Sequence, residues 1–364
     1  MRLSRRSLLL GLPLSLAAPA VLARGGPPGP AHLHRWQTAD TRLGPPALAG
    51  TGDVIVAGAA LVGSIAPGAD TPRWQLPHML PGGAVFRPRT AQRRVVVGAR
   101  GGLVCLDQND GTEIWRAPAE IEIGVPALAP GLVVHGDGHR IVARDLQTGA
   151  VLWRYDTVPD TRASYAPCVL GDRVFVGPGD GQLYALRLAD GRPDWMLNLR
   201  GRAQYLRQIH AGQGLLVAGS YREQLFGIDP ADGRILWEFV AGNFINSHHV
   251  VDGLACLWSP TGWIYAIDIH TGAVRWRHRT TDYYLPGGND WAPLMAELAS
   301  AEGRLYTLDL RAMLRVLDLR NGQMIAAMQV PGRVRHALLP LGGGQVALPM
   351  NDGSLLFAGL PEGG

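Results

Sequence analysis

Apolar and polar positions recur along this chain in a repeating pattern. Segments 103–115, 141–153, 225–237 and 264–276 align without gaps. Each opens with alternating positions, such as Leu225, Gly227 and Asp229 against Phe226 and Ile228, a period of two that predicts a strand. Each continues through Asp-x-x-x-Gly. There the aspartate can hold amides two residues on and the glycine supplies a positive φ, so a hairpin connection is expected. Each closes with a second strand ending in tryptophan, whose large area can dock between neighbouring sheets. A fifth copy, 183–195, keeps Gly191 and Trp195 but has Arg187 for the aspartate; a sixth, 314–326, keeps Asp318 and Gly322 but ends in Ala326.

The repeated tryptophans are Trp36, Trp74, Trp115, Trp153, Trp195, Trp237 and Trp276, with Ala326 in the same slot. Their steps are 38, 41, 38, 42, 42, 39 and 50 residues. Before each hairpin lie two more strand-like runs, such as 127–134 and 139–143. Four strands in ~40 residues make the blade of a propeller. At the C-terminus, runs 336–340, 345–349 and 354–359 lack a fourth strand, while 32–38 carries Trp36 with nothing before it. Pairing the two ends completes a last blade and removes the open edges. The fold predicted is all-β, an eight-bladed β-propeller of four-stranded antiparallel blades, the last closed by the N-terminal strand. It occupies 32–360 as a single domain.

Residues 1–23 read as an address. Arg2, Arg5 and Arg6 precede an apolar run of 16 residues from Leu8 to Ala23 that contains Pro13 and Pro19, too short to span a bilayer core comfortably. The paired arginines in Ser4-Arg5-Arg6-Ser7-Leu8-Leu9-Leu10 resemble a twin-arginine export signal; the alternative is an ordinary secretory signal with two adjacent arginines. Residues 24–31 read as a flexible leader. The expected location is periplasmic or extracytoplasmic, with no transmembrane span in the mature chain.

Removing the signal takes three arginines and no acid, leaving 31 basic against 30 acidic residues, a balance of +1. Nothing then argues for nucleic acid. All 34 basic residues are arginine, which excludes a lysine Schiff base or a phosphate-loop lysine. Cys105, Cys168 and Cys256 lie far apart in strand-like stretches, so small buried hydrophobes are expected, with one distant disulfide as the alternative. No metal-site spacing and no nucleophilic triad is visible.

The repeated Asp-x-x-x-Gly-x-x-x-Trp resembles the repeat of pyrroloquinoline quinone (PQQ)-type propellers over nearly all of 32–360. That family includes quinoprotein dehydrogenases, which hold PQQ and calcium, and non-catalytic members such as the propeller lipoprotein of the outer-membrane β-barrel assembly machine. The stretch from Trp276 to Asp282, followed by Gly288-Asn289-Asp290-Trp291, resembles a segment near the quinone of the dehydrogenases. No adjacent cysteine pair stands in this chain, however, and candidate calcium ligands stop at Asp290, Asn289 and Asn246. The length and blade number resemble the assembly-machine subunit, though no lipid-acceptor cysteine follows the signal.

The loops leading into each innermost strand line one mouth of the channel. Several are aromatic and polar. They bring Tyr165, Tyr205, Arg207, Asn246, His248, Asn289, Asp290, Trp291, Arg335 and His336 from consecutive blades to one side of the opening, the default place for binding. Adjacent His248 and His249 point to opposite faces, so they do not readily share one metal. Trp258 and Trp263 fall outside the repeat slot and are read as local packing or a contact patch. Three functions follow. One is a binding or scaffold protein of the cell envelope, a monomer without cofactor that meets an envelope protein partner. The second is a PQQ-dependent oxidoreductase of alcohols or sugars with Asp290 as base. The third is a small-ligand sensor or carrier at the mouth.

Overall fold

The computed structural model describes residues 28–361, apart from 41, 78–85, 120–122, 160, 162–165, 200–205, 221–223, 242–246, 260, 281–294, 310 and 336. It contains eight four-stranded antiparallel sheets. Seven are consecutive meanders; blade 3, for example, runs Ala127–Ala129, Leu132–Asp137, Arg140–Asp145, Val151–Asp156. The eighth joins Leu339–Gly342, Gln345–Pro349 and Ser354–Gly359 to Leu33–Gln37 from the other end of the chain, with Trp36 opposite Leu355. The first strand of each blade touches the first strands of both neighbours, blade 8 meeting blade 1, so these strands form the innermost ring.

The run 127–134 is two strands rather than one, because Pro130 and Gly131, the latter at φ 73°, turn the chain between Ala129 and Leu132. The run 336–340 likewise begins later, at Leu339. Alternating burial appears mainly in the outermost strands, as in Ile235–Val240. Second and third strands are covered on both faces and are buried almost continuously, as in Leu215–Ser220. The core is therefore a set of layers between blades: Ile55, Val62 and Trp74 of blade 1 pack on Val95, Val97 and Val104 of blade 2, for instance.

The tryptophan slot explains the repeat. The indole Nε1–H of Trp74, Trp115, Trp153, Trp195, Trp237 and Trp276 donates to the carbonyl of Gln108, Leu146, Leu188, Pro230, Ile269 and Leu319, at 2.7–3.0 Å. Each acceptor lies in the repeat hairpin of the next blade, Asp-x-x-x-Gly in five cases and Arg187-x-x-x-Gly191 in the sixth. The hairpin glycine lies against the same ring: a Cβ on Gly149 or Gly191 would meet Trp115 or Trp153 at 2.7 or 2.5 Å, at φ 73° and 72°. Glycine is needed twice there, for the backbone angle and for the close approach. The aspartate does what its spacing predicts. Asp145 Oδ1 accepts the amides of Gln147 and Thr148, and Asp268 Oδ1 those of His270 and Thr271. At 187–191 the hairpin survives on Gly191 N–H donating to the Arg187 carbonyl at 2.9 Å, with Arg187 paired to Asp190 at 2.6 Å.

Across the sheet, each of five tryptophans faces a small residue at a bulge in the third strand: Cys105, Ala143, Ala185, Gly227 and Ala266. In blade 7 the pair inverts to Val316 opposite Ala326. The bulkier valine stands where no indole needs the space.

Candidate functional site

Of the residues expected at the mouth, Tyr165, Tyr205, Asn246, Asn289, Asp290, Trp291 and His336 lie outside the described residues. Arg207 lies on Leu206–Gly212, the innermost strand of blade 5, at its bulge with Leu215–Ser220. Arg335 is half-buried at the approach to blade 8, its N–H donating to the Pro349 carbonyl at 2.9 Å.

His248 lies on Ser247–Val251, the innermost strand of blade 6, and is 4% exposed. Its ring turns toward blade 5, edge-on to His210 with centroids 4.7 Å apart. A Cβ on Gly219 would meet the His248 ring at 2.8 Å, so that glycine makes its room. The Nε2 atoms of both rings are buried without a hydrogen-bond partner. Alternation sends His249 the other way, to Ser300 Oγ of blade 7 at 2.8 Å. Burial lowers all three histidines: His210 to about 4, His248 well below the ordinary value and His249 in the same direction. Neighbouring imidazoles add to this at His210 and His248, and Arg89 and Arg87 of blade 2 act on His210 and His249 respectively. At neutral pH this is a set of neutral rings.

Blade 2 contributes two arginines beside the ring: Arg89 Nε donates to the Pro126 carbonyl at 3.1 Å and Arg87 Nη1 to the Pro46 carbonyl at 2.8 Å. These arginines bridge blade 2 to blades 3 and 1. Sequence reading missed His210, Arg87 and Arg89. The signal available was alternation: Gln208, His210 and Gly212 share the strand face opposite Ile209 and Ala211.

Among the described residues no group of three or more histidines, cysteines or carboxylates could hold a metal ion. Calcium beside a quinone requires six to eight oxygens. Among the described residues the buried carboxylates are committed elsewhere. Asp40 accepts the amides of Arg42, Ala60 and Leu61; Asp53 pairs with Arg73 at 2.6 Å; Asp309 pairs with Arg315 at 2.9 Å. None lies on an innermost strand, so the described residues do not fit a quinone–calcium centre. Cys105, Cys168 and Cys256 are unpaired, their thiols pushed up to about 12 by burial, which makes them poor nucleophiles.

A family model described as "Outer membrane protein assembly factor BamB" matches residues 58–211 and 203–338. A protein of that description from Burkholderia pseudomallei is 31% identical over 277 residues, covering 71% of this chain and 69% of its own. The chain spans about half to two thirds of the length of the curated relatives it matches. Among solved structures, BamB from Moraxella catarrhalis superposes with a TM-score of 0.68 at 18% identity, over 92% of this chain and 99% of that one. The quinohemoprotein alcohol dehydrogenase ADHIIG from Pseudomonas putida HK5 reaches 0.67 at 12% identity, over 90% and 76%. An assembly factor and an alcohol dehydrogenase thus superpose with nearly the same score, and the ring of blades alone does not choose between them.

Proposed function

This chain belongs to the family described as outer membrane protein assembly factor BamB, and from that premise we propose that it is a binding and scaffold protein of the cell envelope, serving assembly of outer-membrane proteins without turnover of its own. The observation that carries the reading is the extent of the family match. It runs from blade 1 to the threshold of blade 8, through blades that carry only short connections between their strands. A rigid ring of this kind presents its loops as a fixed face to a partner. The rim in this reading is Tyr165, Tyr205, Arg207, Asn246, Asn289, Asp290, Trp291, Arg335 and His336, with His248 packed behind it.

The test is affinity isolation of the tagged chain from detergent-solubilised envelopes. Co-isolation of proteins that assemble outer-membrane barrels is expected, weakened by Trp291→Ala with Arg335→Ala. Recovery of the chain alone, with barrel levels unchanged on its deletion, overturns the reading. Export through residues 1–23 is part of the same proposal. Arg5→Lys with Arg6→Lys should strand the chain in the cytoplasm on fractionation; unchanged export would point to an ordinary secretory signal.

A further inference from the structure

We propose that the outer groove between blades 5 and 6 docks an extended acidic segment of a partner protein, laid along the free edge of blade 6. The two tryptophans outside the repeat slot divide in the structure. Trp258 is fully buried in the layer between blades 6 and 7. Trp263, at the start of Trp263–Asp268, is half-exposed. The guanidinium of Arg277 lies 4.4 Å from the Trp263 ring centroid and that of Arg279 5.0 Å. Trp263 continues through Tyr265, at 6.5 Å, to Phe239 of blade 5, a further 5.2 Å on.

Register explains the arrangement. Trp263 stands opposite Arg279 and Tyr265 opposite Arg277, so all four share the face that looks toward blade 5. The carrying strand, Val274–Arg279, is the open edge of its sheet. It reads Val-Arg-Trp-Arg-His-Arg, three arginines and no acid, and is the most basic of the eight outermost strands. Arg275 is satisfied by Asp268 at 2.7 Å. Arg279 is fixed by the Thr261 carbonyl at 2.9 Å. Arg277 is exposed and makes no ion pair among the described residues.

Arginine on an open edge also guards against unwanted strand pairing. A guard needs only a mobile charge, whereas here two guanidiniums are laid down on one indole before any partner arrives. Ordering them in advance lowers the cost of binding, and tryptophan and arginine are among the residues enriched where interface energy concentrates. As the last strand of its sheet it offers an edge for an added strand. Residues two apart on such a strand share a face, so carboxylates at alternate positions would meet Arg277 and Arg279 together. The near-neutral charge of the mature chain gives no general attraction for anions, so the preference belongs to this groove.

This inference deepens the scaffold reading by naming the chemistry of a partner, and its test is independent of envelope co-isolation. The full exported chain is titrated with a fluorescent peptide of about ten residues alternating glutamate and threonine, and with its lysine–threonine counterpart. Saturable binding of the acidic peptide alone is expected, weakened about tenfold by Arg277→Glu and by rising salt, and weakened also by Trp263→Ala. Arg277 is exposed and Trp263 only half-buried, and unchanged thermal unfolding certifies the variants. Absence of binding, equal binding of the lysine peptide, or equal affinity in Arg277→Glu overturns the proposal. So does Arg277-dependent binding of phosphatidylglycerol vesicles without binding of the peptide, which would assign the groove to lipid.

Discussion

Six junctions of the ring, from blade 1 through blade 7, are fastened by a tryptophan whose N–H reaches the next hairpin. The two junctions of blade 8 are not. At the junction of blades 7 and 8 the slot holds Ala326, and the reason is topological. The hairpin that would receive an indole is the connection between the third and fourth strands, and in blade 8 that connection is where the two chain ends meet. With no hairpin there is nothing to fasten. At the junction of blades 8 and 1, Trp36 lies against Gly63 in the third strand of blade 1, its Cη2 3.4 Å from where a Cβ would stand. The seam relies instead on aliphatic packing of Met328, Met350 and Leu356, on the strand pair Leu33–Gln37 with Ser354–Gly359, and on Arg35 held by Asp352 at 2.6 Å. A closed ring needs a place to begin and end, and the repeated clasp is omitted there.

The largest effect expected is from opening the seam. Deleting residues through Gln37 strips the last strand from blade 8, exposing a sheet edge and the buried Leu355 and Phe357. The truncated chain should lose cooperative thermal unfolding and elute as aggregate in size-exclusion chromatography. A monomer with a near-native transition would show that the clasped arc holds its shape without closure.

The second prediction isolates the clasp. Gly191→Ala drives a methyl into Trp153 at φ 72°, whereas Gly131→Ala, at φ 73°, meets nothing within 4 Å. Both suffer the backbone penalty of about 1–2 kcal/mol; only Gly191→Ala adds overpacking of about 1–3 kcal/mol. Denaturant unfolding should therefore separate the two variants. Equal losses would mean that the hairpin yields and the indole contact contributes little.

These clasps are also what made the fold readable. Tryptophan and glycine at steps near forty residues announce blade number and closure, because each is irreplaceable at its place: glycine by backbone angle and contact, tryptophan by filling the space over Cys105 or Ala143. Strand limits were less legible. The innermost strands are short, and strands covered on both faces lose the polar alternation that marks their ends, so Ala127–Ala129 merged with Leu132–Asp137. The site was least legible. Alternation says that His248 and His249 part company, but not that Gly219 of another blade opens a place for one of them beside His210. Trp263 was visible as a residue outside the repeat, while its two arginines became meaningful only through the register of Val274–Arg279.

Acid should separate the two regions as well, because among the described residues the buried neutral histidines belong to the arc. His135 of blade 3, lowered to about 4 by burial, stands with Arg144 Nε donating to its Nε2 at 3.1 Å; His210 is lowered similarly and His248 further. Above the ordinary histidine value of 6.5 both native and unfolded rings are neutral and stability is unaffected. Below it the unfolded chain takes up protons that the native state refuses, so stability falls from about pH 6.5 down to about pH 4, by roughly 2 kcal/mol per such histidine at about pH 5. Amide exchange at about pH 5 should quicken first between blades 5 and 6, with the Leu33–Gln37 strand still protected. His210→Phe should flatten the dependence, while a loss that begins in blade 8 would place the weak point at the seam instead.

The smallest effect expected comes from restoring the missing side chain. If the tryptophan slot stabilised simply by burying area, Ala326→Trp would strengthen the junction of blades 7 and 8. The geometry says otherwise. The indole would find no hairpin carbonyl for its N–H, a loss of about 1 kcal/mol relative to its six counterparts, and Val316 across the strand fills the space that alanine or glycine leaves elsewhere. The variant should lose about 1 kcal/mol in denaturant unfolding. Adding Val316→Ala should recover the steric part but not exceed the parent, because the acceptor remains absent. A double variant clearly more stable than the parent would show that area alone drives the slot, and the contrast between arc and seam would then be one of size rather than of hydrogen bonding.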